Sequence, residues 1–147
     1  MHEAGLAVLP TAQMPAFPET GGELEIFEQG SRATVGYLVE HLIGSAPVDG
    51  LLLSTDNDYF GVASACRLCG KEPQREIMIV GYDNYWFNDG KREFEKTAPL
   101  ATIDKRNKVM GGELVRLLAE RVAGHLPKEP QRRVVPPELI VTYEKEN

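Results

Sequence analysis

Two short apolar runs, at residues 51–53 (LLL) and 77–80 (IMIV), limit the fold of this chain more than any other feature of its sequence. Neither run alternates apolar with polar residues, which is typical of strands covered on both faces. The segment between them, residues 58–69, is apolar around most of its helical circumference, and Gly70 is placed to cap it. A strand, a helix and a strand in this order predict an α/β fold with a parallel, doubly wound sheet.

The same alternation extends along the chain. From Ser31 to Ile43, apolar residues recur with the spacing of an amphipathic helix, which Gly44 is expected to end. Residues 5–10 (GLAVLP) and 100–103 are predicted strands, residues 139–143 are predicted to be extended, and residues 105–124 are the longest predicted helix. The apolar side of that helix comprises Val109, Met110, Leu114, Leu117, Leu118 and Val122.

Polar side chains follow both of the central apolar runs. Asp56, Asn57 and Asp58 come after the first run, and Asp83 comes after the second. In open parallel sheets ligands bind outside the carboxyl ends of the strands. Carboxylate and amide oxygens accept hydrogen bonds from hydroxyl groups, so these residues suit a polyhydroxylated ligand.

Two of these carboxylates, and the aromatic residue beside them, also have a purely structural interpretation. Asp58 precedes the predicted helix and can serve as its cap, and Asp83 can form an Asx-turn after its strand. Trp86, the single tryptophan, follows Asp83 and has aromatic neighbours on both sides. It is a candidate for stacking on a sugar ring, although such clusters more often serve packing.

Composition excludes several classes of function for these 147 residues. A net charge of -6 argues against a chain that itself grips nucleic-acid phosphates. No run approaches the length of a membrane span, and no secretory signal is evident. Cys66 and Cys69 form no disulfide framework and are expected to be buried small side chains in a reducing cytoplasm. The three histidines show no metal-ligand spacing, so neither a metal nor another cofactor is expected.

The order of these elements and turns resembles one protein family over residues 30–143, most of the chain. The stretch DGLLLSTDNDYFGVASACRLCGKEPQREIMIVGYDN is similar to the part of lactose-repressor/galactose-repressor (LacI/GalR) regulators that reads strand, small residue, Asn-Asp, helix, strand, Gly-Phe/Tyr-Asp-Asp/Asn. PLATIDK, VMGGELVRLLAERVAG and VVPPELIV resemble the crossover, helix and closing strand that follow there. The resemblance implies a periplasmic-binding-protein-like fold of type I, with its first lobe incomplete in this chain.

The resemblance also implies roles for individual residues. Asn57 falls on the family's ligand-contacting asparagine, Asp83 on the aspartate that accepts hydrogen bonds from a sugar or purine, and Asp58 on the aspartate that starts the helix. Asp56 departs from the pattern, in which a small apolar residue is usual, and is expected to make the pocket more acidic. The closing strand departs as well, because Thr142-Tyr143 stand where the family often has an arginine.

The family's helix-turn-helix, hinge and first half-lobe would all precede Met1. Residues 1–147 are therefore expected to be an effector-binding fragment whose small-molecule ligand is a sugar. The fragment is expected to reach DNA only through an N-terminal domain that is absent from this chain. In the family the long helix packs on a sheet contributed largely by that absent half. The fragment is therefore expected to form a homodimer, with the 58–69 helix as a second contact surface.

Two other functions fit part of the sequence. Asp56-Asn57-Asp58 after a buried strand resembles the metal-holding D-x-D of nucleotide-sugar glycosyltransferases, although no basic phosphate-binding cluster accompanies it. A periplasmic sugar-binding protein of the same fold would need a signal peptide. No pairing of a nucleophile with a base is evident, so the sequence favours a sensor without catalytic residues over an enzyme.

Overall fold

The computed structural model describes residues 21–142, together with Thr11 and Gln13. The predicted strand at residues 5–10, and Tyr143 at the end of the last predicted segment, lie outside the described residues. Within them the elements are α1 (Glu23–Ile43), β1 (Gly50–Leu52), α2 (Tyr59–Leu68), β2 (Met78–Tyr82), β3 (Ala101–Asp104), α3 (Asn107–Val122) and β4 (Glu138–Val141). Short 3-10 turns occupy Asp56–Asp58, Trp86–Asn88 and Gly90–Glu93.

The four strands of the described residues form one sheet in the order β1-β2-β3-β4. β1 pairs with β2 and β2 with β3 in parallel, so the predicted α/β fold with a parallel sheet is confirmed for these three strands. β4 differs, because it runs antiparallel to β3, with Thr102 opposite Ile140. An antiparallel edge strand on a parallel sheet is common, and the apolar pattern of residues 139–143 carries no information about direction.

The two faces of the sheet are covered unequally. Ile79 and its register partner Leu51 lie on the inner face, where α1 and α2 supply most of the buried side chains of the core. On the outer face Leu52 is 67% exposed and Val141 is 69% exposed. The expectation that the 51–53 strand is covered on both faces is therefore wrong for the described residues, since α1 and α2 share one face and leave the other open.

α1 begins at Glu23, eight positions before the helix predicted from the apolar stripe. Its buried face includes Ser31 and Thr34, which interrupt the apolar spacing. Both hydroxyls donate to the carbonyl oxygen four residues earlier, at Phe27 and Gly30, over 2.8 Å. Because the helix itself satisfies these hydroxyls, they can be buried, and hydrophobic periodicity alone does not detect them.

α2 follows its prediction closely. Six of its ten residues are buried, and Gly70 adopts the expected left-handed conformation at φ +75°. Cys66 is buried and Cys69 is partly buried, and both are free thiols. Burial raises the pKa of Cys66 to about 12, so the pair behaves as small apolar side chains rather than as thiolates.

α3 has the predicted amphipathic pattern and buries none of its residues against the described part of the chain. Leu118 is 64% exposed and Val122 is 80% exposed. The segment after α3 turns back along it, where the Arg133 guanidinium pairs with the carboxylates of Glu113 and Glu120. α3 is thus joined to the rest of the described chain mainly through its own connections to β3 and β4.

Candidate functional site

The segments predicted to carry function meet at one edge of the sheet. Strands β1, β2 and β3 run parallel, so their carboxyl ends lie side by side, with Leu52 opposite Val80 and Tyr82 opposite Ile103. Residues 53–58, 83–86 and 105–106 leave the sheet at this edge. Segments from three neighbouring strands thus converge there, as the sequence predicted for the first two.

The loop from Asp83 to Trp86, called the 83–86 loop below, is held at every backbone amide. The Asp83 N–H donates to the carbonyl oxygen of Ile103 over 2.9 Å, and the Asn84 N–H donates to Thr102 Oγ1 over 3.1 Å. The N–H groups of Tyr85 and Trp86 both donate to Asp56 Oδ2, over 2.8 and 3.3 Å. Side chains from two other segments therefore fix the conformation of this loop.

The same loop has a backbone conformation that side chains rarely adopt. Asp83 has φ +96° and Asn84 has φ +51°. Non-glycine residues in sparsely populated regions cost about 1–3 kcal/mol each and persist only where their surroundings hold them. The four amide hydrogen bonds supply that restraint, and such conformations are concentrated at binding and active sites.

Asp83 forms an ion pair with Lys105, the residue that follows β3. Hydrogen bonding to the Asp83 carboxylate raises the pKa of Lys105, whose ammonium group also lies 5.4 Å from the centre of the Tyr82 ring. Both partners remain partly exposed at the sheet edge. Oδ1, the Asp83 oxygen that meets Lys105, is itself buried, so what the pair leaves for a ligand is the other carboxylate oxygen and the ammonium group. Within the described residues Asp83 forms no Asx-turn.

Asp104 organises the next segment. Its carboxylate accepts hydrogen bonds from the Arg106 backbone N–H over 2.6 Å and from Asn84 Nδ2 over 3.1 Å. These bonds, the one from Arg106 foremost, lower the pKa of Asp104 below its usual range. Asp104 therefore stays ionised and links the 83–86 loop to the start of α3.

Asp56 lies inside the protein, which differs from its expected place in a pocket. Its side chain is fully buried. Besides the two amides of the 83–86 loop, its carboxylate accepts from Thr102 Oγ1, which is 3.0 Å from each of its oxygens. The expectation that Asp56 makes a ligand pocket more acidic is therefore wrong for this conformation, because both oxygens face protein donors.

Asn57 and Asp58 are exposed at the same edge. The Asn57 carbonyl oxygen accepts a hydrogen bond from Lys91 Nζ over 3.1 Å. Asp58 immediately precedes α2 but makes no capping hydrogen bond through its side chain, so its interpretation as a mere cap is not supported. Partial burial raises the pKa of Asp58, and the positive charge of Lys91 opposes that shift.

Trp86 is half-buried and packs against the core, as the structural interpretation of the aromatic cluster expects. The Arg92 guanidinium lies over its indole ring at 5.1 Å from the centroid, and the Phe87 ring meets it edge-on at 6.1 Å. Its indole N–H is buried and has no hydrogen-bond partner among the described residues. Tyr85 and Phe87 are the more exposed aromatic side chains of the cluster.

A cavity of about 300 Å³ lies elsewhere, between α1 and α2. It is lined by Leu24, Phe27, Glu28, Ser31, Arg32, Ser64, Leu68 and Phe94. None of these residues belongs to the carboxyl edge of the sheet. The prediction that Asn57 and Asp83 line one common cleft therefore stays a prediction, although both residues lie at the expected edge.

The sequence reasoning missed Lys105 and Asp104. Both follow a predicted strand at residues 100–103, so the rule that singled out Asp56 and Asp83 applied to them equally. Lys105 was instead assigned to the beginning of the long helix, which starts two residues later, at Asn107. The signal was present in the sequence, and the early helix boundary concealed it.

The structure does not arrange Asp56 and Asp58 as a D-x-D metal site, since the Asp56 carboxylate is buried and bonded to backbone amides. Over residues 21–142, no group of three or more His, Cys, Asp or Glu side chains is arranged to hold a metal ion. In the same part of the chain, none of the helices combines the length and the apolar character needed to cross a bilayer.

The sequence matches the family described as periplasmic binding protein-like domain over residues 1–142. It is 27% identical over 104 residues to the HTH-type transcriptional regulator CelR of Thermobifida fusca, a match that covers 70% of this chain and 29% of that protein. The chain thus spans less than a third of this relative.

Solved structures of similar fold include transcription regulators and a solute-binding protein. A complex of the transcriptional regulator CelR with cellobiose superposes with a TM-score of 0.57 at 25% identity, over 76% of this chain and 32% of that one. A periplasmic solute-binding protein of an ABC transporter from Actinobacillus succinogenes, with bound D-allose, gives 0.54 at 18% identity, over 78% of this chain and 37% of that one. A LacI-type regulator from Bifidobacterium animalis gives 0.52 at 20% identity, over 80% and 38%. The last two similarities concern the fold alone.

Proposed function

Because this chain belongs to the periplasmic binding protein-like domain family, we propose that it is the effector-sensing part of a LacI/GalR-type transcription regulator. In this proposal it binds a sugar or a similar small polar molecule at the carboxyl edge of its sheet. Ligand binding, and not turnover, is its activity. It acts in the cytoplasm, and its coupling to DNA operates through a DNA-binding domain outside these 147 residues.

The observation that carries this proposal is the ion pair between Lys105 and Asp83. Asp83 belongs to the 83–86 loop, whose backbone is strained and whose amides are all hydrogen-bonded. A sugar hydroxyl both donates and accepts hydrogen bonds, so it can bridge a carboxylate and an ammonium group. Hydrogen bonds to charged groups are also the stronger ones. The exposed side chains of Asn57 and Asp58 and the aromatic surface beside Trp86 lie at the same edge and extend the candidate site.

A relative supports a sugar as the class of ligand. The regulator CelR is solved with cellobiose, a polyhydroxylated molecule without charge. A neutral ligand is compatible with a site whose charges already neutralise each other in the Asp83–Lys105 pair. We therefore propose a neutral mono- or disaccharide as the effector.

Calorimetric titration of the chain with cellobiose and, separately, with D-allose tests the proposal. Asp83→Asn should weaken sugar binding by about 1.5–3 kcal/mol, or about ten- to a hundredfold in Kd, because a charged acceptor is lost. Asp49→Asn is the matched control, since Asp49 is an exposed aspartate next to the amino end of β1. Equal affinity of wild type and Asp83→Asn for a sugar that binds would refute the role of Asp83.

We also propose that the chain associates as a homodimer through the apolar face of α3. A helix with several large apolar side chains more than half exposed is rarely left open on a monomer in solution. A second copy presents the same stripe and can cover it symmetrically. The α2 surface beside Leu68, which is 59% exposed, provides the second contact.

A further inference from the structure

The buried carboxylate of Asp56 is the common partner of two separate segments. Oδ2 accepts the backbone N–H groups of Tyr85 and Trp86, and Thr102 Oγ1 lies 3.0 Å from both oxygens. All three partners are donors supplied by the protein. A fully buried carboxylate with this set of partners cannot contact a ligand in the same conformation, so its role must act through the residues that it holds.

Thr102 extends the effect of Asp56 by one residue. Its hydroxyl donates to the Asp56 carboxylate and accepts the N–H of Asn84 over 3.1 Å. Three successive amides, at residues 84–86, therefore depend directly or indirectly on the Asp56 carboxylate. The remaining amide, that of Asp83, donates to the backbone of β3 and needs no side chain.

β2 has a glycine at the position next to the Asp56 carboxylate. A Cβ atom placed on Gly81 would lie 1.8 Å from Asp56 Oδ1, so only glycine leaves room for the carboxylate at this position. Gly81 and its register partner Thr102 are on the same face of the sheet, directly under Asp56. Glycine in β2, threonine in β3 and aspartate after β1 thus form one matched arrangement.

We propose that Asp56 and Thr102 form a clamp that sets the conformation of the 83–86 loop and thereby the orientation of the Asp83 carboxylate toward the ligand. Asp56 is a positioning residue and does not touch the ligand. The clamp keeps Asp83 and Asn84 in the left-handed region, which the loop would leave if its amides were free to bond to water. The part of the proposal that concerns ligand rests on the proposed function, whereas the part that concerns the loop does not.

The single tryptophan provides a direct measurement, because Trp86 belongs to the clamped loop. In Asp56→Ala the two partly buried amides of Tyr85 and Trp86 lose their acceptor, so the loop should move toward water. We expect the Trp86 emission of the folded variant to shift to the red and its quenching by acrylamide to increase. Asp56→Asn keeps an acceptor oxygen for the two amides and should retain most of the wild-type emission and quenching.

Thr34→Ala is the control for a loss of stability alone. Like Asp56, Thr34 is a buried polar residue. It lies in α1, however, and its hydroxyl donates a hydrogen bond to the carbonyl oxygen of Gly30 in the same helix. This variant should melt earlier than the wild type and leave the Trp86 emission below the melting transition unchanged. If Asp56→Ala behaves like Thr34→Ala, with wild-type emission and quenching in the folded state, the clamp is refuted.

Thr102→Val decides the question if Asp56→Ala does not fold. It removes the hydroxyl that links Asn84 to Asp56 and keeps the carboxylate, so a smaller change in Trp86 emission in the same direction is expected. Unchanged Trp86 emission in folded Thr102→Val would overturn the proposal.

A titration with cellobiose separates the clamp from the proposed function. If the wild type binds, folded Asp56→Ala should bind about tenfold more weakly or worse, as follows when two amide donors are left unpaired, and Asp56→Asn should bind nearly as well as the wild type. If the wild type binds neither cellobiose nor D-allose, the proposed ligand class fails, and the Trp86 measurements still decide whether the clamp exists.

Discussion

Helices α2 and α3 are both amphipathic, and the structure uses them in opposite ways. α2 has ten residues, of which six are buried beneath α1 and against the inner face of the sheet. α3 has sixteen residues, none of which is buried within the described part of the chain. Apolar periodicity therefore predicts that a helix forms and which side needs cover, but it does not identify what provides that cover.

The two helices are also expected to contribute unequally to the stability of the protein. Burying a large apolar side chain contributes about 1.5–3 kcal/mol, so the α1–α2 side of the sheet should supply most of the stability of the described region. α3 should contribute little until its apolar face is covered by something else. Regions with few buried contacts open at low free energy, which makes α3 the first described element expected to unfold.

The largest expected effect contrasts one core residue with one residue of α3. Phe60 is 1% exposed and packs edge-on against Tyr59, with the ring centres 5.2 Å apart. Phe60→Ala should lower the free energy of unfolding by about 3–5 kcal/mol, as expected for the loss of a buried ring. Leu118→Ala should change it by less than about 0.5 kcal/mol in dilute solution. Denaturant unfolding at low protein concentration measures both, and similar losses would break the comparison.

An ion pair at the end of α2 provides a second test of how much the α2 side contributes to stability. Arg67, near the end of α2, donates from Nε and Nη2 to the two oxygens of Glu95, over 2.9 and 3.2 Å. Burial alone would raise the pKa of Glu95, but hydrogen bonds from Arg67 and Thr97 outweigh it and lower the pKa below its usual value of 4.5. The ionised form is therefore stabilised in the folded state.

Glu95→Gln should cost about 1–2 kcal/mol at neutral pH, a value reduced because Arg67 is 36% exposed. Since the pKa of Glu95 is lowered by folding, its contribution is fully present above the unfolded value and disappears as the pH falls through the folded one. The difference in stability between wild type and variant should thus shrink below about pH 4.5. A difference that stays constant over that pH range would show that ionisation of Glu95 does not matter.

The smallest expected effect on folding comes with a change in assembly. A double substitution, Leu114→Lys with Leu118→Lys, places charges on the exposed stripe of α3 and should alter the free energy of unfolding of the dilute chain by less than about 0.5 kcal/mol. It should, however, convert the proposed dimer to a monomer. Sedimentation at micromolar concentration measures this, with Lys108→Ala on the polar side of α3 as control. A wild-type chain that sediments as a monomer would refute dimerisation through α3.

Much of the fold was predictable because its elements obey local rules. The family resemblance read from residues 30–143 is confirmed by the match over residues 1–142 and by the regulator CelR among the relatives. α2 and its Gly70 cap were predicted within one or two residues. The beginning of α1 was not, because Ser31 and Thr34 occupy buried positions there, and the direction of β4 was not, because periodicity is the same in either direction.

The candidate site was predictable in location but less so in roles. The ends of the strands pointed to Asp83 and Asn57, and the structure places both at that edge. Asp56 was assigned to the ligand because it stands among other polar residues, yet its carboxylate turns inward to the amides of the 83–86 loop. Such a role depends on contacts 29 and 30 residues away in sequence, which a local pattern cannot reveal.

The connection between β3 and β4 has a consequence for how the sequence can change. These strands pair along their whole length, with Ala101 opposite Val141 and Asp104 opposite Glu138, while residues 105–137 loop out and return. Within the described part of the chain, α3 contributes no buried residue. The main effect of this segment on the stability of the sheet is therefore the entropic cost of bringing its two ends together, which depends on its length. That cost grows only logarithmically, by about 0.6 kcal/mol for each doubling. Insertions and deletions within residues 107–137, or exchange of that part, should therefore be tolerated by the sheet, so that the surface it presents can change while Lys105 and the fold that holds Asp83 stay the same.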